Sequence, residues 1–197
     1  PDIRAQGIKH MKLLIDINVE LGSKITGGVN YAAWGYLPGR PRTEEEWDWS
    51  IDAMREIAKY ARERSDLIIA VEPVNRFETH FLNVAEDAVR YCNDVGTGNV
   101  KVHLDSFHMI REETSFRGAV ETCGKEYLGY VHVCENNDTC TLNGRKIYID
   151  SLVTTIIKYI KSDPNDIAMP ELKPVIIDLI GECYQSQLVI SLSNERS

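Results

Sequence analysis

Three polar residues stand at or near the carboxyl ends of three successive apolar runs. Glu72 closes Leu67-Ile68-Ile69-Ala70-Val71, Asp105 closes Val100-Lys101-Val102-His103-Leu104, and His132 lies near the end of Leu128-Gly129-Tyr130-Val131-His132-Val133. The intervals are 33 residues from 72 to 105 and 27 from 105 to 132, each about one strand-helix unit. Where such strands run parallel in a barrel, their carboxyl ends meet on one rim, and polar tips from neighbouring strands gather there. Two carboxylates and an imidazole suit a divalent cation such as Mn²⁺, Mg²⁺, Co²⁺ or Zn²⁺. Strand alternation agrees: with Glu72, Asp105 and His132 facing inward, Val71, Leu104, Val131 and Val133 face the helices. Taken singly, each residue reads as a lone polar group hydrogen-bonded to the next loop. Three in register favour the metal site.

The elements that must position these residues alternate short β-rich runs with longer helical segments, the pattern of parallel βα units. Ile3 to Leu21 places Ile8, Met11, Ile15 and Val19 near one helical face, with Gly22 as its stop. Ser23 to Tyr31 reads as a strand running into a Gly27-Gly28 loop. Thr43 with Glu46 forms a capping box for a helix to about Arg64, whose buried stripe is Trp47, Ile51, Met54, Ile57, Ala58 and Ala61. Strand 67–72, helix 84–95, strand 100–105, a helix near 116–124 and strand 128–133 follow, then a helix from Tyr148 to Ile160. Beyond it Val175-Ile176-Ile177 and Leu188-Val189-Ile190 compete to be the last strand. No repeat or composition shift marks a second domain, so residues 1–197 read as one α/β domain with about five strands.

Composition bounds the partners. The 22 Lys and Arg against 30 Asp and Glu leave a net charge of −8, which disfavours nonspecific binding to nucleic acid or to an anionic membrane. No apolar run approaches the roughly 20 residues that span a bilayer. The first residues lack the features of a signal peptide, and a chain that begins with Pro1 rather than Met is expected to have its natural start elsewhere. The five cysteines form no Cys-x-x-Cys pair, a usage that suits a reducing, cytoplasmic setting.

Longer motifs surround the three tips. Val71-Glu72-Pro73-Val74-Asn75-Arg76-Phe77-Glu78 with Leu82-Asn83, and Val102-His103-Leu104-Asp105-Ser106-Phe107-His108-Met109, resemble the Glu-x-x-Asn-Arg-Phe-Glu and Leu-Asp-x-Phe-His-Met segments of the ketose 3-epimerases. These are the tagatose, psicose and ribulose 3-epimerases of the xylose isomerase-like barrel superfamily. His132-Val133-Cys134-Glu135 and Asn143-Gly144-Arg145-Lys146-Ile147 are similar to two further family segments, and the resemblance runs from about Ile8 to Ile157. It implies a (β/α)8 TIM-barrel fold, incomplete here and holding about the last five βα units. It implies Glu72, Asp105 and His132 as metal ligands, Glu72 as a catalytic carboxylate, and Glu78, His108 and Glu135 as substrate contacts. Mn²⁺ is the first choice of metal, with Mg²⁺, Co²⁺ or Zn²⁺ as alternatives. The implied activity is C3 epimerisation of a ketose through an enediolate, one carboxylate removing the proton beside the carbonyl and a second returning one to the opposite face.

The chain departs from that pattern in three places. The family's final strand carries a Glu that is both fourth ligand and second acid/base, whereas Leu188-Val189-Ile190-Ser191 offers Ser191, with Asp178 and Glu182 as unsupported substitutes. The family's Arg six residues after the metal His is Asp138 here. The first three βα units have no counterpart. Five strands of a barrel would leave two open edges, so the chain is expected to self-associate. A truncated or degenerate, non-catalytic member of the family is therefore the alternative reading. An endonuclease of the same superfamily is disfavoured by the charge and by the few His residues. Cys134 and Cys140 with His132 make a weak zinc pattern. Glu44-Glu45-Glu46 reads as a charge-favoured first helical turn, and Trp34, Tyr36, Trp47 and Trp49 as an aromatic lid. Lys101 is expected to point into the barrel near an acidic partner, and His80 and His103 to be structural or solvent-facing.

Overall fold

The computed structural model describes residues 2–133 together with the backbone of 188–191. Helix α1 (Asp2–Glu20) leads to strand β1 (Ile25–Gly28), then α2 (Glu44–Arg62), β2 (Ile68–Val71), α3 (Ala85–Val95), β3 (Val100–Asp105), α4 (Ser106–Glu112), α5 (Phe116–Tyr127), β4 (Leu128–Val133) and β5 (Leu188–Ser191). The sheet order is β1-β2-β3-β4-β5. Strands β1 to β4 pair in parallel in chain order, forming a half-barrel whose carboxyl ends share one rim.

Local chemistry explains the helix boundaries. At the start of α2 the Thr43 side chain accepts from the Glu46 amide while the Glu46 carboxylate accepts from the Thr43 amide, the reciprocal arrangement that satisfies two otherwise unpaired donors. Arg40 completes it with a two-pronged contact to Glu46 at 2.8 and 2.9 Å. Helix α3 ends at Gly96, whose φ of 68° is readily adopted only without a Cβ. Helix α4 is short and lies outside the expected elements. It begins where the Asp105 side chain accepts from the Phe107 amide at 2.8 Å, so the strand-end carboxylate also caps the helix that follows.

The core lies between the sheet and α1, α2, α3 and α5, where Leu67, Ile69, Val71, Val102, Leu104 and Val131 are fully or almost fully buried. Beside the rim, Trp47, Tyr31, Phe81 and Tyr91 form an aromatic cluster with ring centroids 5.4 to 6.3 Å apart. Its polar atoms are satisfied internally: Ser50 Oγ donates to the Tyr31 carbonyl at 2.6 Å and meets Tyr91 Oη at 2.7 Å. Tyr31 Oη in turn donates to the carbonyl of Glu72 at 2.7 Å. The backbone that carries Glu72 is thereby fixed by a packed core rather than by a loop. Trp47 thus belongs to the core. Trp34, Tyr36 and Trp49 remain exposed, so the expected aromatic lid is divided.

Two features depart from simple alternation. The β3-β4 register runs Val102 to Leu128 and then His103 to Tyr130, leaving Gly129 as an extra residue in a bulge. A Cβ at Gly129 would lie 2.6 Å from Lys101 Cβ, so only glycine lets the two backbones approach. Lys101, expected to face an acidic partner, instead donates to the Glu126 carbonyl at 2.6 Å, near the C-terminal end of α5, where carbonyls favour a cation. The second departure is β5, which pairs antiparallel with β4 and sets Val189 opposite His132 and Ser191 opposite Tyr130. Its carboxyl end therefore runs away from the rim, so Ser191 does not stand there.

Candidate metal centre

Glu72 follows β2, Asp105 ends β3 and His132 lies one residue before the end of β4, so neighbouring parallel strands bring all three to one rim. Among the described residues, two groups of three donors have ligating atoms mutually within 4.8 Å: Glu72, His103 and His132, and Glu72, Asp105 and His108. The expected trio is distributed between these groups. Glu72 belongs to both, His132 to the first and Asp105 to the second, and His132 Nδ1 lies 3.6 Å from Asp105 Oδ2. Glu72 and His132, though not Asp105, line a cavity of about 410 Å³ together with His103, Tyr130, Gly27 and Gly28. A Cβ at Gly27 would touch His103 Nδ1 at 3.4 Å and the Tyr130 ring at 3.5 Å, so the glycine keeps the cavity open beside them.

Burial sets the charge states. Enclosure raises the Glu72 carboxyl from 4.5 to about 8, and the nearby Asp105 and Glu78 charges add to the rise. Enclosure lowers His103 from 6.5 to about 3, reinforced by His132. Their facing atoms, Glu72 Oε2 and His103 Nδ1, are 3.5 Å apart, yet burial holds each neutral. Tyr130 is raised by burial and by Glu72. A divalent cation would reverse the balance at Glu72 by replacing the proton as the carboxylate's counter-charge. Neutral imidazole is already the ligating form.

A second line of groups runs along the rim through Asn75. Its Nδ2 donates to Glu78 Oε1 at 2.7 Å, and its side-chain oxygen accepts from the Phe77 amide at 3.0 Å. Trp34 Nε1 donates to Glu78 Oε2 at 3.0 Å. The Asn75 backbone N-H donates to His108 Nδ1 at 3.2 Å, which makes Nδ1 the acceptor and leaves the proton of the neutral ring on Nε2. That nitrogen lies 3.7 Å from Glu72 Oε1. Through this tautomer His108 offers an N-H donor beside Glu72, suited to a substrate oxygen. Behind it, Arg76 grips Glu112 with contacts of 2.8 to 3.1 Å, tying the 75–78 turn to α4.

The sequence profile of the xylose isomerase-like TIM barrel family matches residues 1–151. The chain belongs to this family. Within it, the D-psicose 3-epimerase of Ruminiclostridium cellulolyticum is 34% identical over 151 residues, covering 76% of this chain and 51% of the relative. The L-ribulose 3-epimerase of a Methylomonas species is 34% identical over 137 residues, covering 70% and 47%. A D-allulose 3-epimerase from Methylomonas, solved in complex with D-allulose, superposes with a TM-score of 0.70 at 29% identity, covering 79% of this chain and 53% of that one. The chain spans about half the length of the relatives it matches. Its TIM-barrel elements are accordingly those of a half-barrel.

Of the expected site residues, Glu72, Asp105, His132, Glu78 and His108 gather along this rim. Glu135 lies outside the described residues, as do Cys134, Asp138, Cys140, Asp178, Glu182 and the segments 143–147, 148–160 and 175–177. His80 is structural: its Nε2 sits 3.6 Å from Glu46 Oε2 and its ring packs edge-on against Tyr36 and Phe81. His103 is a different case, 1% exposed and inside the cavity. The alternation that turns Asp105 inward turns His103 inward as well, and this signal was present in the sequence. Tyr130 follows from His132 by the same rule. Asn75 carried no signal of its own beyond the motif.

Proposed function

We propose that this chain carries the ligand-bearing half of a divalent-metal-dependent sugar epimerase, acting at the carbon beside the carbonyl of a ketose. The observation that carries the reading is that Glu72 shares one group of mutually close donors with His103 and His132 and another with Asp105 and His108, with His132 Nδ1 3.6 Å from Asp105 Oδ2, all on the rim of successive parallel strands. The donor set fits a cation: carboxylate oxygens beside an imidazole, with Glu72 raised to about 8 and so holding a proton in the cation's absence. Glu72, Asp105 and His132 would hold it, with Mn²⁺ the first choice. A cation there supplies charge stabilisation for the negative charge that develops on the sugar oxygens as the neighbouring carbon loses its proton.

The chain's own residues perform the remaining tasks. Glu72, once ionised, is the carboxylate placed to take the proton. His108, with Nδ1 occupied by the Asn75 amide, directs an N-H toward a substrate oxygen. Glu78, held by Asn75 and Trp34, accepts from a sugar hydroxyl. We place the protein in the cytoplasm. The buried free thiols Cys92 and Cys123 suit that compartment, and no helix among the described residues is long and apolar enough to cross a membrane.

The relatives' names include D-psicose, L-ribulose and ketose 3-epimerases, which supports a ketose as the substrate class. The decisive experiment incubates D-psicose, D-tagatose and D-fructose with the metal-loaded protein and follows the epimers by chromatography. Interconversion that disappears in Glu72→Gln supports catalysis. A second reading, a non-catalytic relative, is favoured by the antiparallel β5, which sets Val189 rather than a carboxylate opposite His132. Cation binding without interconversion of any of the three sugars would establish that reading instead.

A further inference from the structure

His103 is an anomaly among the buried polar side chains. It is 1% exposed, and neither ring nitrogen has a hydrogen-bond partner among the described residues. A buried imidazole left this way forfeits the hydrogen bonds that both nitrogens would make in water, and sequences rarely retain such a group without a use for it. The surroundings indicate a use. Its Nδ1 faces Glu72 Oε2 at 3.5 Å, and its ring meets that of His132 edge to face at 4.2 Å. One ligating atom from each of Glu72, His103 and His132 lies within 4.8 Å of the others. Gly27, without a side chain, leaves the ring's Nδ1 side open.

We propose that His103 is itself a ligand of the cation, joining Glu72 and His132, and that the second imidazole shifts this site toward nitrogen-preferring ions such as Co²⁺ or Zn²⁺ and away from Mg²⁺. The inference rests on the reading of Glu72 and His132 as ligands. It goes beyond that reading by adding a donor from the middle of β3, and by assigning a metal preference to the ligand set of this chain. The physical reason is donor softness. Carboxylate and water oxygens suit Mg²⁺ and Mn²⁺, while each added imidazole favours the later divalent ions. A lone pair given to a cation also resolves one of the two orphaned nitrogens, which no other described group does.

The test titrates the metal-stripped full chain with Co²⁺ and with Mg²⁺ by calorimetry at constant pH and records the visible Co²⁺ spectrum. The wild type is expected to prefer Co²⁺. His103→Gln should weaken Co²⁺ binding roughly 100-fold, the upper end of what loss of an outer-shell partner costs, and alter the visible band. Mg²⁺ binding in the same variant should fall less than about tenfold. A second measurement needs no variant: in wild-type protein labelled with ¹⁵N-histidine, Zn²⁺ should move ring-nitrogen signals of two of the five histidines to the position of ligated imidazole. If Glu72→Gln removes binding while His103→Gln leaves Co²⁺ affinity and spectrum unchanged, the rim site stands and the role of His103 is overturned. If only one histidine responds to Zn²⁺, the same conclusion follows. A wild-type chain that binds no cation overturns both.

Discussion

Glu72 ties the stability of the metal-free protein to pH. Its carboxyl, enclosed beside Asp105 and Glu78, sits at about 8 instead of 4.5. Between those values the native state keeps a proton that the unfolded chain has released, so stability falls as pH rises through that window. At about 1.36 kcal/mol per pH unit, the whole difference is about 5 kcal/mol. His103 acts in the opposite sense at lower pH. Its ring sits at about 3 instead of 6.5, so the unfolded chain binds the extra proton and stability rises with pH between those values. From about pH 4.5 to 6.5 the two slopes oppose and largely cancel, while from 6.5 to 8 the Glu72 slope stands alone. That remaining interval amounts to about 2 kcal/mol, or roughly 4–8 °C in Tm for a chain of this size. Thermal melts in chelator across this range should show the decline, and Glu72→Gln should abolish it. Saturating Mn²⁺ should reverse it, because the cation competes with the proton and binds better as pH rises. An equal decline in Glu72→Gln, or a flat wild-type profile, would refute the electrostatic account of the rim.

Three further expectations concern the scaffold. Gly129→Ala forces a Cβ to within 2.6 Å of Lys101 Cβ and should lower stability by about 1–3 kcal/mol in denaturant unfolding; an unchanged midpoint would remove the close-approach argument. Thr43→Ala removes the Glu46 amide's acceptor and should cost about 1 kcal/mol, measured the same way, with no change in metal affinity. The outer edge of β1 has no sheet neighbour among the described residues, and an open edge templates pairing. Sedimentation velocity is expected to show a dimer or larger species, and a monomer at all concentrations would contradict this.

Much of the half-barrel was legible because its signals are local. The capping box at Thr43 and Glu46, the buried stripe of α2 and the span of β4 from Leu128 to Val133 follow from side-chain periodicity and hydrogen-bonding chemistry. The placement of Glu72, Asp105 and His132 on one rim was legible because strand ends in parallel βα units converge by topology. Other features depend on tertiary placement. Helix α4 is short and carries no strong periodicity, and it starts from the Asp105 cap. The destination of Lys101 depends on the C-terminal end of α5 and on the bulge at Gly129. The antiparallel direction of β5 is invisible in the four apolar-to-polar residues 188–191, which would read alike in either orientation. His103 was readable by parity with Asp105, but its orphaned nitrogens were not, since they depend on what surrounds the ring.

The most direct test of the rim as a cation site is a Mn²⁺ titration of metal-free protein, followed by calorimetry and by loss of the free-ion electron paramagnetic resonance signal, in the wild type and in Glu72→Gln. The expected result is one saturable site per chain whose affinity falls by roughly 100-fold or more in the variant, beyond what an outer-shell change costs. Absence of a saturable site, or a site that Glu72→Gln leaves unchanged, would contradict the account.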